Sequence, residues 1–201
     1  ENDDSSISNN SIRYINEDLY GNILVGTSHG INILNLSTDK FNHYTEKDGL
    51  INNTIYGILV DDNNNNLWIG TSEGLNVMDK RTGEIKKYKA PSISNNVVSA
   101  LCVTRDNTLW VGTDNGLCRY VPEKDTFVVC GDEFGDGRLR YVTIKSLLED
   151  SDGDLWIGTW AQGLFRYSPS TDKVVVYPKI NEQYSSHVIY EDSNKDIWVG
   201  S

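Results

Sequence analysis

The chain is 201 residues long, 38% hydrophobic and 10% aromatic, with 29 acidic and 18 basic residues for a net charge of −11. That balance argues against a nucleic-acid partner, which needs a Lys/Arg footprint, and no apolar run approaches the roughly 18 residues of a spanning helix. No charged-then-apolar leader opens the chain. Three cysteines without a CxxC spacing argue against a zinc site or disulfide framework and read as small buried hydrophobes.

In chain order, one pentapeptide recurs: Ile23–Thr27, Leu67–Thr71, Leu109–Thr113, Leu155–Thr159 and Ile197–Ser201. Its glycines fall at 26, 70, 112, 158 and 200, spacings of 44, 42, 46 and 42. A period of that length signals a repeat architecture. Each pentapeptide reads as the second strand, B, of a four-stranded unit. The first strands, A, are Ile12–Glu17, Ile55–Asp61, Val97–Val103, Ile144–Asp150 and Ser186–Glu191. The C strands start at Gly30, Gly74, Gly116 and Gly163, where a tight turn needs a positive φ. The D strands end at Tyr44, Tyr88, Cys130 and Tyr177. Short strands separated by Gly, Asn, Asp and Pro indicate an all-β fold, and the fixed period selects a β-propeller of four-stranded antiparallel blades. The expected domain is one incomplete propeller over residues 1–201, with blades at about 9–45, 52–89, 95–130 and 141–178 and part of a fifth at 184–201.

Stacked blades explain the pentapeptide. Trp68 and Gly70 are expected on one face of strand B, with Leu67, Ile69 and Thr71 on the other. Both faces of a blade meet neighbours, so Trp68, Trp110 and Trp156 read as buried structural residues. The missing side chain at Gly70 lets a bulky group of the next blade approach. Small residues at Gly57, Ser99, Ala100 and Ser146 suit strand A, nearest the axis.

The recurring pattern, clearest at residues 142–167 (Val-Thr-Ile-Lys-Ser-Leu-Leu-Glu-Asp-Ser-Asp-Gly-Asp-Leu-Trp-Ile-Gly-Thr-Trp-Ala-Gln-Gly-Leu-Phe-Arg-Tyr), resembles the two-component regulator propeller repeat. The resemblance covers nearly the whole chain. It implies the extracytoplasmic sensor region of a Bacteroides-type hybrid two-component system, in the periplasm. In that family two seven-bladed propellers precede a β-sandwich, a membrane helix and a histidine kinase. Many members detect glycan-derived oligosaccharides. This chain departs from the family in length, so its open blade faces are expected to meet the remaining blades or other copies; no membrane contact is expected of the segment itself.

Function is sought where the repeats differ. In a four-stranded meander the B–C and D–A connections share one face. The B–C loops carry Ser28 and His29, Ser72 and Glu73, Asp114 and Asn115, and, one residue longer, Trp160, Ala161 and Gln162. The D–A connection 131–141 that feeds the same blade holds three glycines, two arginines and two aromatics. An indole takes the C–H face of a pyranose while polar groups take its hydroxyls. The candidate ligand residues are therefore Trp160, Arg138, Arg140 and Tyr141, with an oligosaccharide as ligand. The bland alternative is that Trp160 covers a blade top and the arginines pair with Asp132, Glu133 and Asp136. The Asn pairs 9–10, 52–53 and 95–96 read as turn caps. The acidic A–B turns, Asp61 with Asp62, Asp150–Asp154 and Asp192–Asp196, read as hairpin turns rather than calcium loops. No metal, no cofactor and no catalytic residue is expected. His29, His43 and His187 fall at different phases of the repeat. A propeller lyase or glycosidase, or a protein-interaction scaffold, remains open at this level.

Overall fold

A computed structural model describes residues 5–61, 64–177 and 185–200. Among them the chain is all-β, with one short 3-10 turn at Glu46–Asp48. It divides into two compact units, residues 1–89 with 96–98, and residues 90–95 with 99–201.

The first unit contains two antiparallel meanders. One comprises β1 (Ile12–Glu17), β2 (Ile23–Thr27), β3 (Gly30–Asn35) and β4 (Lys40–Tyr44); the other comprises β5 (Ile55–Asp61), β6 (Asn66–Thr71), β7 (Leu75–Asp79) and β8 (Ile85–Tyr88). The second unit contains β9 (Val98–Val103), β10 (Leu109–Thr113), β11 (Gly116–Val121) and β12 (Thr126–Val129), Val98 itself being grouped with the first unit. It continues with β13 (Ile144–Glu149), β14 (Leu155–Thr159), β15 (Leu164–Ser168) and β16 (Lys173–Tyr177), and ends in the hairpin β17 (Val188–Glu191) and β18 (Ile197–Gly200). The strands of every sheet follow chain order, and the recurring pentapeptide supplies the second strand each time. Each four-stranded sheet is a blade.

Several strand ends differ by one or two residues from the sequence reading: β6 begins one residue early at Asn66, and Gly74, Cys130 and Gly163 lie just outside β7, β12 and β15. Val97, Asp150 and Ser186 lie just outside their strands. Asp150 has left the ladder to cap the following turn, and the Ser186 amide donates to the Thr159 carbonyl of the preceding blade at 3.0 Å. Asp62 of an A–B turn, and residues 178, 184 and 201 at the expected margins of the last blades, lie outside the described residues.

Packing explains the pentapeptide residue by residue. Trp68, Trp110 and Trp156 are buried, as the stacking argument requires. The glycine beside each is a socket. A Cβ built on Gly26 would lie 2.8 Å from Cγ2 of Ile55, and one on Gly70 2.9 Å from Cγ1 of Val98. On Gly112 it would lie 2.5 Å from Cγ2 of Ile144, and on Gly158 2.9 Å from Cβ of Ser186. Ile55, Val98 and Ile144 begin strand A of the next repeat and Ser186 lies two residues ahead of β17, so the glycine is required by close approach, not by turn geometry. These contacts knit Leu24, Ile31, Ile55, Ile58, Leu67 and Ile69 into the core of the first unit. In the second unit they join Trp110, Leu117, Ile144, Leu155, Ile157 and Phe165.

The threonine closes the B–C turn. Its hydroxyl donates to the carbonyl of the glycine that opens strand C: Thr27 to Gly30 at 3.0 Å, Thr71 to Gly74 at 2.8 Å, Thr113 to Gly116 at 3.0 Å and Thr159 to Gly163 at 2.6 Å. The same oxygen accepts a backbone N–H from inside the loop. Those four glycines have φ between 91° and 150°, the left-handed conformation expected at this turn.

The acidic A–B turns have a structural task. Asp150 accepts the backbone N–H groups of Asp152 and Asp154, each at 2.9 Å, and Nε1 of the buried Trp156 at 2.6 Å. Asp192 repeats the pattern with Asn194, Asp196 and Trp198. Blade three has Thr104 at this place, and there the buried Nε1 of Trp110 finds no acceptor among the described residues. Asp150→Ala removes three charge-assisted acceptor contacts and orphans a buried indole N–H, so it should cost about 2–3 kcal/mol. For a chain of this size that lowers Tm by roughly 4–12 °C. Asp150→Asn keeps an acceptor and should lose less. Thermal unfolding followed by tryptophan fluorescence measures both.

Candidate functional site

The face carrying the B–C and D–A connections of blade four is assembled around Trp160. Its backbone N–H donates to the Thr143 carbonyl at 2.8 Å, and the Thr143 N–H donates to Gln162 Oε1 at 3.2 Å, which ties the longer loop to the start of strand A. The indole is 53% exposed and meets the ring of His187 edge-on, with centroids 5.7 Å apart. Beside them Lys145 Nζ pairs with Asp114 Oδ1 at 2.9 Å, and the Thr143 hydroxyl donates to the Asp114 carbonyl at 3.2 Å.

A β-bulge aims Lys145 there. Ile144 pairs with Thr159 and Ser146 with Gly158, which leaves Lys145 as the extra residue of β13. Arg13 in β1 and Tyr56 in β5 are extra in the same way. Bulges re-aim a side chain out of the ladder and recur next to functional sites. In the first unit Arg13 Nε donates to Ser28 Oγ at 3.0 Å, and its guanidinium lies 5.3 Å from the centre of the Tyr56 ring. The same place in the other repeats holds Ser99 and His187. One repeat position thus carries Arg, Tyr, Ser, Lys and His in turn.

The insertion 131–141 is a wedge as much as a loop. Phe134 is buried, its centroid 5.2 Å from Trp110 and 5.8 Å from Tyr167. Its glycines permit the tight course: a Cβ on Gly131 would lie 2.8 Å from Cα of Gly137. The Gly135 N–H donates to Asp172 Oδ1 at 2.6 Å. Arg138 donates to Asp136 Oδ2 through Nε at 2.6 Å, and through its second guanidine nitrogen to the Val174 carbonyl on β16. The Arg138 hydrogen bond holds the Asp136 carboxyl below the usual carboxylate range. Arg140 donates to Asp132 Oδ1 at 2.7 Å, and its guanidinium lies 5.5 Å from the centre of the Tyr141 ring.

Of the four residues singled out from sequence, the structure thus joins Arg140 with Tyr141. It commits Arg138 to β16 and sets Trp160 against His187. Tyr141 and Trp160 occupy neighbouring repeat positions. The equivalent residues of the second blade are Asn52 and Ser72, whose side chains are hydrogen-bonded at 2.8 Å. Blade four therefore replaces a polar pair by two exposed aromatics. The partners missed from sequence are His187, Lys145, Asp114 and Gln162. Their one signal was the polar position recurring in strand A. Of the paired Asn residues, Asn9 accepts from the Ser11 N–H, Asn52 from the Thr54 N–H and Asn53 from the Glu46 N–H.

The remaining reactive groups are held in place. Burial pushes the Cys102 and Cys130 thiols up to about 11 and raises that of Cys118, so all three are thiols at neutral pH. Cys118 fills the position that holds buried Asn32 and Asn76 in the first two blades, opposite Val111 as they oppose Val25 and Ile69. His43 meets Asn32 Oδ1 at 2.8 Å. Among the described residues no three His, Cys, Asp or Glu side chains group to hold a metal ion, and no helix is long and apolar enough to cross a membrane.

The pattern of the two component regulator propeller family matches residues 49–73, 92–115 and 138–161. Each match runs from the D–A connection through strands A and B, and the last ends in the Trp160 loop. Those three segments are similar to repeats of that family. The extracellular domain of a hybrid two component system from B. thetaiotaomicron superimposes with a TM-score of 0.82 at 22% identity, covering 98% of this chain and 26% of that one. A second such domain from B. thetaiotaomicron gives 0.65 at 24%, covering 98% and 32%. Virginiamycin B lyase from Staphylococcus aureus gives 0.74 at 14%, covering 94% and 62%. At these identities the likeness is one of fold, and the fold is that of β-propeller blades. The chain spans about a quarter to a third of the two extracellular domains. Among curated proteins no sequence matches it.

Tyr141 takes φ +62°, a left-handed conformation that costs a bulky residue about 1–2 kcal/mol, and its ring is 69% exposed. Strain at an exposed aromatic is retained where the side chain has a use. Tyr141→Gly should therefore leave Tm unchanged or raise it. A fall in Tm, read by calorimetry, would mean that the ring stabilises the fold.

Proposed function

We propose that this chain is the ligand-sensing propeller segment of a hybrid two-component receptor. It lies in the periplasm, and its parent protein is anchored in the inner membrane and carries a histidine kinase. The segment binds rather than catalyses, and its ligand is an oligosaccharide derived from a glycan. The family repeats support the receptor reading, as does likeness to extracellular domains of hybrid systems.

The observation that carries the ligand reading is the replacement of a hydrogen-bonded polar pair by Trp160 and Tyr141 on one blade. An exposed indole braced edge-on by His187 offers a flat apolar platform, held in orientation by its loop contacts to Thr143. Around it stand the Lys145–Asp114 pair, Gln162 and Arg140, donors and acceptors suited to hydroxyl groups. A pyranose stacks its C–H face on the indole and orders its hydroxyls among these groups. Arg140 and Tyr141 flank the platform. Arg138 serves by holding the insertion to β16 or, released from Asp136, by reaching a hydroxyl or an acidic substituent. The bulge at Lys145 tunes the site, because its side chain leaves the ladder without disturbing it.

Trp160→Ala tests the reading, with calorimetry against a panel of oligosaccharides and circular dichroism as a check on folding. Loss of a stacked aromatic at a hot spot costs about 1–3 kcal/mol, a factor of roughly 5 to 150 in Kd. An oligosaccharide that binds the variant as it binds the parent chain places the ligand elsewhere.

A further inference from the structure

We propose that the insertion 131–141 guards the outer edge of blade four against pairing with a strand of another chain, and that Arg138 is its latch. The proposal concerns the edge of a sheet and stands apart from the ligand reading.

The fourth strand of each blade is the last of its sheet and pairs within that sheet on one side only. Such a strand turns every second backbone N–H and C=O away from its neighbour, and that row is a template for a strand of another chain. In the first unit the sequence itself blunts these edges. β4 carries Lys40, Asn42 and His43, and β8 carries Lys86 and Lys87, both exposed. Charged edge residues, lysine above all, oppose strand addition.

The last strands of the second unit are built differently. β12 reads Thr-Phe-Val-Val and β16 reads Lys-Val-Val-Val-Tyr, with Val175 and Tyr177 more than a third exposed. A β-branched and aromatic stretch with a single charge and no proline is the composition that adds strands most readily.

The insertion reaches both of these strands. Its Asp132 N–H donates to the Val129 carbonyl at the end of β12 at 3.1 Å. Phe134 then anchors it in the core that includes Val174, beside Tyr167. A Cβ on Gly135 would lie 3.8 Å from Cγ2 of Val174, and the Gly135 N–H holds Asp172 just ahead of β16. Arg138 completes the cover by donating to the Val174 carbonyl on β16. Its ion pair with Asp136 forms within the insertion and would survive wherever the insertion lay. The bond to Val174, 36 residues further on, ties the guanidinium to the edge. Arg138 thus does for β16 what Lys86 and Lys87 do for β8, but it is brought there from another part of the chain.

The test compares the parent chain, Arg138→Ala, and Arg138→Ala combined with Val175→Glu, all without ligand, in sedimentation velocity over rising concentration. Circular dichroism checks folding, and the infrared band of intermolecular β-sheet identifies strand pairing. Arg138 is about half exposed, so its truncation opens no cavity. Val175 lies opposite Arg166, and a glutamate there charges the edge while facing a cation across the ladder. Arg138→Ala should fold as the parent does, gain the intermolecular band and associate at concentrations at least about tenfold lower. The added glutamate should return association to the level of the parent. An Arg138→Ala chain that associates no more readily than the parent, or association that Val175→Glu leaves in place, would overturn the proposal.

Discussion

Everything in this structure depends on how closely one blade can approach the next. The second strand of each repeat gives up a side chain at one position, and the start of the following repeat puts Ile55, Val98, Ile144 or Ser186 into the space. Within each unit the residue two positions before the glycine is then covered, and adjacent sheets share one apolar layer. A methyl group at Gly112 would overlap the Ile144 side chain, at a cost of about 1–3 kcal/mol for overpacking. The repeat period is the chain length needed to make one sheet and return to this contact.

Polar groups in the repeat serve the same contact from the ends of the strands. The threonine hydroxyl ties the B–C turn to the opening of strand C. Asp150 and Asp192, at the end of strand A, organise their A–B turns and take the indole N–H of Trp156 and Trp198, so Trp156 is buried with its donor paired. Blade three departs from this rule with Thr104, and its Trp110 is held by aromatic edge contacts with Phe134 and Tyr167. The insertion 131–141 thus has a structural end at Phe134 and an exposed end at Arg140 and Tyr141.

Because the scaffold is so strongly determined, the loop face is free to vary. Trp160 stands where the other blades carry a serine or aspartate, on a loop backbone held to Thr143 and Thr159. The bulge in strand A is a second outlet of the same kind. It lets Arg13, Tyr56 and Lys145 leave an apolar ladder while the residues on either side keep their pairing.

From the sequence alone came the all-β class, the four-stranded blades, the second-strand place of the pentapeptide and the burial of its tryptophans. All of these follow from local patterns that recur in phase. Trp160 was also legible, because it breaks a pattern whose other copies stand beside it. The neighbours of Trp160 were not. Arg138 and Arg140 lie close to the blade in sequence, but hydrogen bonds draw the first to Asp136 and β16 and the second to Asp132. His187 and Lys145 are distant in sequence or hidden in a strand, and they reach the face through the stacking of the next repeat and through a bulge. A period-two strand pattern contains no sign of an extra residue, and a carboxylate capping a turn has the same composition as one facing water. Which polar groups meet was decided by tertiary packing, since contacts between successive repeats depend on register and not on residue type.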